Sequence, residues 1–225
     1  MSSEPPASAP EPPRSSPFPG CLILATIVIV FGGLIVLYTV VGAFQNRALD
    51  GLTEERATPV PVLEPSPAEV VETMARVEAI GEAIEAGEAE RILLTATDLN
   101  VLIATSEDLA DFREQTWIER VSPQGIVARM VQPVRDGVLR RGVRYLHADF
   151  VLQPELRART VAFKVMDIRP EKGDAPEGFV RNYQALDFFR LDPEWEVMRE
   201  AVSSLGAVYT EGDRVVVETT VSAGE

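Results

Sequence analysis

The sequence is poor in the residues that carry most enzyme chemistry. It holds one histidine, His147, and one cysteine, Cys21. Usual zinc sites need several histidine or cysteine ligands, so they are excluded. A Cys–His nucleophile pair is excluded too, because Cys21 borders an apolar run. A lone cysteine cannot close an intramolecular disulfide. No Gly-x-Ser-x-Gly, His-Glu-x-x-His or phosphate-loop pattern occurs. His147 and Asp149 fall two apart on one strand face, yet a His–Asp contact still needs a nucleophile from elsewhere. A half-buried strand histidine is the plainer role. The expectation is a protein that is not an enzyme and takes no cofactor. Positive charge is also short: 21 Lys and Arg against 35 Asp and Glu leave −14. Binding a phosphate backbone needs a basic face, so nucleic acid is not an expected partner.

What the chain does have is one long apolar run. Residues 21–44 read CLILATIVIVFGGLIVLYTVVGAF, 24 residues without a charge. At ~1.5 Å rise per residue they reach roughly 36 Å, enough to cross a hydrocarbon core of about 30 Å with some tilt. Gly32 and Gly33 are tolerated in such a helix. A secretory leader has a shorter apolar core behind a basic region. Here only Arg14 precedes the run, against Glu4 and Glu11, so an uncleaved anchor is expected. Arg14 on one flank and Arg47 and Arg56 on the other nearly balance, and Lys/Arg bias is what sets orientation. The expected location is the cell membrane, single-pass, with the C-terminal domain extracytoplasmic.

Composition divides the rest. Residues 1–19 hold seven of the 17 prolines and lack aliphatic periodicity, which predicts a disordered tail. Residues 20–44 are the transmembrane helix. Residues 45–66, with TPVPVLEPSP, are expected to form a stiff stalk that holds the domain off the bilayer. Residues 67–225 form the domain. Its charge is uneven: from Glu69 to Glu90 seven acids meet only Arg76, while from Arg120 to Lys164 nine bases meet three acids.

The domain reads as α+β: an antiparallel β-meander packed with several short helices. Ser66, Pro67 and Glu69 make a capping box ahead of Val70, Met74, Val77, Ile80 and Ile84, with Gly87 as the stop. Arg91 to Leu94 is a short strand. Thr95 and Asp98 open a second capped helix with Leu99, Leu102 and Ile103 inward, and Asn100 can bond nearby backbone. Residues 117–121, 126–134, 142–153 and 160–168 then alternate as strands, broken by Ser122-Pro123-Gln124-Gly125, Arg135-Asp136-Gly137 and Gln153-Pro154-Glu155. Leu146, Ala148, Phe150 and Leu152 share one face, as do Val161, Phe163 and Val165. The opposite rows, including Tyr145, Val151, Ala162, Met166 and Ile168, are partly apolar, so both faces are expected to be covered. Phe179, Tyr183 and Leu186 give a short helix, Asp192 to Gly206 another, and 208–221 a terminal hairpin.

An N-terminal span, a stalk helix, LLTATDLNVLIA and a β-meander together resemble the YpmS-like group of membrane-anchored proteins of uncharacterised function. The motif residues are Thr95, Asp98, Leu99, Asn100, Leu102 and Ile103, and the likeness of layout covers residues 21–170. The resemblance implies an architecture similar to tubular lipid-binding domains and brings no catalytic residues. The expected function is a membrane-tethered, non-enzymatic interaction or accessory domain of the cell envelope. The alternative is a membrane-anchored lipid-binding module using an apolar groove on the sheet. The expected partners are the bilayer and, at a face of Arg140, Arg141, Arg144, Tyr145, Phe150 and Phe163, anionic lipid or a protein.

Overall fold

The computed structural model describes residues 18–135, 142–157, 160–185, 189–190 and 202–221. The chain divides into two compact units, 1–45 and 46–225. Helix α1 (Phe18–Leu52) contains the apolar run. Its stretch Thr26–Leu52, 27 residues with an 18-residue window of mean hydropathy 2.6, is long and apolar enough to cross a membrane. The fold of the second unit is α+β.

Two antiparallel sheets build that unit. The larger has strands β3 (Thr116–Ser122), β4 (Gly125–Arg135), β5 (Val143–Arg157), β6 (Thr160–Pro170) and β7 (Phe189–Arg190), adjacent in that order, and β1 (Thr53–Glu54) pairs with β5. The expected meander is therefore present. The smaller sheet has β2 (Arg91–Leu94), β9 (Arg214–Thr219) and β8 (Leu205–Glu211), in the order β2-β9-β8. Helices α2 (Pro67–Ala86) and α3 (Ala96–Thr105) follow the stalk, a 3-10 turn covers Glu107–Phe112, and α4 (Glu177–Ala185) follows β6.

The core lies between the sheets. Leu146, Ala148, Phe150 and Leu152 on β5 are buried, as the alternation predicts, and Ile126, Ala128, Met130, Val161 and Val165 join them from β4 and β6. The smaller sheet contributes Val208, Val215 and Val217, and β2 contributes Ile92 and Leu94. Tyr183 of α4 lays its ring 6.0 Å from that of Phe150, and its burial pushes the phenol pKa up. Full burial of a side chain such as Phe150 stabilises by about 1.5–3 kcal/mol.

Local chemistry explains where elements begin and stop. Ser66 caps α2: its Oγ accepts from Glu69 N–H and its own N–H donates to Glu69 Oε2 at 2.8 Å. Gly87 ends the helix at φ 65°, a left-handed position that suits glycine. Gly125 closes the β3–β4 turn at φ 136°, where an added Cβ would stand 2.5 Å from the Leu152 carbonyl oxygen.

Several expectations are corrected. Residues 45–66 are not a free stalk: 45–52 continue α1, Thr53 and Glu54 join the large sheet, and Val60 is buried. Three prolines, Pro59, Pro61 and Pro65, bar helix there, but they do not bar an extended chain from packing on the sheet. On α2, Met74 faces solvent and Thr73 is buried, because Thr73 carries a hydrogen bond inward. Gln153-Pro154-Glu155 is not a turn; β5 runs on to Arg157. Beyond Leu152 this strand has β6 as its neighbour and β4 no longer pairs with it, and a one-sided strand tolerates proline. Ile168 faces the core, opposite to the expectation, because a register shift after Val151 flips the β6 alternation. The proposed helix from Asp192 to Gly206 lies mostly outside the described residues, and its last two residues begin β8.

Candidate functional site

The Thr95–Asn100 motif builds a buried polar node between α2, α3 and β3. Thr95 caps α3, its Oγ1 accepting from Asp98 N–H at 3.0 Å. Asp98 Oδ2 accepts the Thr95 N–H and hydroxyl, both at 2.7 Å. Asp98 Oδ1 accepts the Thr73 hydroxyl at 2.8 Å and the Arg76 guanidinium at 2.6 Å. Burial alone would raise the Asp98 pKa; the Thr95 and Thr73 hydrogen bonds and the Arg76 charge outweigh it and hold the carboxyl below the ordinary aspartate value. Asn100 reaches eighteen residues along the chain: its Nδ2 donates to Ile118 O and its Oδ1 accepts from Ile118 N–H, both at 2.8 Å. Leu99 and Ile103 pack against the core. Asp98 and Asn100 are buried with their hydrogen-bonding groups filled, which suits a structural joint and leaves nothing to hold a ligand.

The expected partner face is dispersed. Phe150 is fully buried in the core, and Phe163 packs against the core cluster. Tyr145 lies on the opposite face of β5. Arg144 Nε donates to Thr53 Oγ1 at 2.8 Å and its terminal nitrogen to Thr53 O at 2.9 Å, with Asp50 and Glu55 at 3.7 Å. It clamps β1 onto β5. Arg140 and Arg141 lie outside the described residues. Other sheet arginines meet acids locally: Arg129 bridges Glu119 and Asp149, Arg157 meets Glu155, and Arg169 meets Asp167. Asp149 is thus held by Arg129, while His147 Nε2 lies 3.4 Å from Arg56 O. Among the described residues no three His, Cys, Asp or Glu side chains group as metal ligands would.

A different site emerges on the back of the large sheet, where sequence reasoning placed a stalk. Strand β3 begins opposite Met130, so β4 from Val131 onward lacks β3 beside it. The chain at 113–115 and the segment 57–60 flank this free stretch. They enclose an open depression of about 390 Å³, lined by Ala57, Pro59, Gln115, Val131, Pro133 and Tyr145 with Arg113 and Glu114. Val60 closes one end, its N–H donating to Glu114 O at 2.9 Å. Glu114 adopts φ 61°, the one positive φ at a non-glycine among the described residues. That conformation costs about 1–2 kcal/mol relative to the right-handed region. Beyond Val60 a small cavity of about 10 Å³ is lined by Leu63, Asn100, Ile103, Thr116 and Trp117. Thr116 Oγ1 is buried there without a hydrogen-bond partner among the described residues. The signal in the sequence was the proline spacing at 59 and 61, which marks an extended segment but not its resting place.

Compared with known proteins, the chain matches no family model, no curated protein and no solved structure.

Proposed function

We propose that this chain is a membrane-tethered, non-enzymatic interaction domain of the cell envelope. Helix α1 carries the reading. Only 6% of its most apolar window is buried within the protein. Leu24, Ile29, Ile35 and Leu37 are each more than half exposed. So much apolar surface is costly in water, and a bilayer is the solvent that fits it. The buried polar groups of the 46–225 unit support the rest of the reading: Asp98, Asn100 and Arg144 are occupied in joining elements, and the depression at Tyr145 is a surface feature suited to contact. In this reading the domain lies on the outer side of the membrane. After an alkaline wash of membranes the protein should remain in the pellet; release into the supernatant would refute the anchor. A reporter fused after Glu225 should be active only on the outer side.

The open depression also favours a second reading, a tethered lipid-binding module. Lipid extraction from the purified full-length chain followed by mass spectrometry tests it, and an absence of stoichiometric lipid sinks it.

A further inference from the structure

We propose that the small cavity beyond Val60 is a binding site for one water molecule, held between the start of β3 and the chain at 61–63. Thr116 carries the inference. The residue is only 6% exposed, and its Oγ1 has no hydrogen-bond partner among the described residues. It pairs with Met130 on the first rung between β3 and β4, so the ladder fixes where it stands. A hydroxyl taken out of water without a partner is costly. Buried polar groups in folded proteins are met by protein or by ordered water.

The space beside this hydroxyl has the size of one water. It measures about 10 Å³, close to the smallest volume that holds a water and too small for a larger ligand. A bound water needs about two to four polar partners. Thr116 Oγ1 supplies one, as donor or as acceptor. Asn100 lines the same cavity, but its amide is committed to Ile118. The main chain of Val62 and Leu63 supplies the rest. Both residues line the cavity, and neither has a main-chain hydrogen bond among the described residues.

Such a water completes the fastening of the chain that runs from α1 to α2. Upstream, β1 pairs with β5 and the Val60 N–H donates to Glu114 O at 2.9 Å. From Pro61 to Pro65 no direct hydrogen bond ties the chain to the rest of the domain among the described residues. The two prolines there have no N–H to offer. A bridge through one water is nearly as favourable as a direct bond, and it joins this stretch to β3 where no side chain does.

The test uses the full-length chain in detergent micelles, labelled for nuclear magnetic resonance. A water that tumbles with the protein should give Overhauser contacts to the Thr116 methyl and to the Val62 or Leu63 N–H. Thr116→Val nearly keeps the shape and removes the hydroxyl. It should abolish those contacts, speed hydrogen exchange at Leu63 several-fold and lower the unfolding midpoint by about 2–4 °C, the shift for one lost hydrogen bond in a chain of this size. Thr116→Ser keeps the hydroxyl and should keep the contacts. Three results overturn the proposal. The first is the absence of long-lived water contacts in the wild-type chain, a result that needs no variant to fold. The second is contacts that persist in Thr116→Val, since the water then does not use the hydroxyl. The third is a midpoint that holds or rises in Thr116→Val, as it does when a hydroxyl with no partner at all is removed.

Discussion

The joint at Asp98 and Asn100 grips β3 at Ile118, the groove at Tyr145 lies along β4 past the start of β3, and they treat polar groups in opposite ways. At the joint both side chains are buried and fully bonded: Asp98 accepts from Thr73, Arg76 and Thr95, and Asn100 both donates to and accepts from Ile118. In the groove the Tyr145 hydroxyl and the Gln115 amide have no hydrogen-bond partner among the described residues, and Glu114 holds a left-handed backbone; the unpartnered Thr116 hydroxyl lies in the small cavity beyond Val60. A low local dielectric makes a satisfied network rigid and a missing partner costly. The difference teaches that the motif most visible in the sequence holds the fold together, while the open depression is built from residues with no motif.

Substitutions should sharpen this contrast. Asp98→Ala should have the largest effect, destabilising the 46–225 unit by about 3–5 kcal/mol, because it strands Arg76, Thr73 and the α3 cap. Thermal unfolding of the detergent-solubilised chain, followed by near-ultraviolet circular dichroism, measures it. A loss below about 1 kcal/mol would break the contrast. Asn100→Ala should cost about 2–3 kcal/mol, since the Ile118 N–H and carbonyl lose their partner. Faster hydrogen exchange at Ile118 should accompany it. The joint should also respond to acid. The Asp98 pKa is lowered on folding, so its contribution is fully present above the ordinary aspartate value, about pH 4. It fades as pH falls through the lower folded value. Asp98→Asn should therefore narrow its stability gap to the wild type only in strong acid, and a gap that narrows near neutral pH would contradict the assignment. In the groove the effects should be small. Tyr145→Ala should change stability by less than about 1 kcal/mol, as expected for a half-exposed side chain. Glu114→Gly should stabilise by up to about 1 kcal/mol by relieving the left-handed strain. Its unfolding midpoint should rise.

Much of the large sheet was legible because its strands follow one another through short turns. The alternation of Leu146, Ala148, Phe150 and Leu152 fixed the core face of β5, and the capping boxes at Ser66 and Thr95 fixed two helix starts. The pairing of β2 with β9 was not legible: Arg91 meets Glu218 across most of the domain's length, and no local pattern encodes such a contact. Ile168 was assigned to the wrong face because a bulge leaves no mark in apolar periodicity. The partner face failed for a related reason. Arg144, Tyr145 and Phe150 are close in sequence, but odd and even positions of a strand point to opposite sides. The groove escaped notice because it needs β4 to extend past the start of β3, a property of register and not of composition.

The two hydrogen bonds from Asn100 to Ile118 have one more consequence. β3 is the edge strand of the large sheet, and an edge strand offers free N–H and carbonyl groups to any passing chain. At Ile118 those groups are already answered by a side chain that copies the shape of a peptide unit. A foreign strand that approaches this margin finds its middle rung taken, and the register shift between Ile118 and Arg120 bends the ladder at the same point. One amide thus guards this margin against pairing with a neighbouring chain edge to edge.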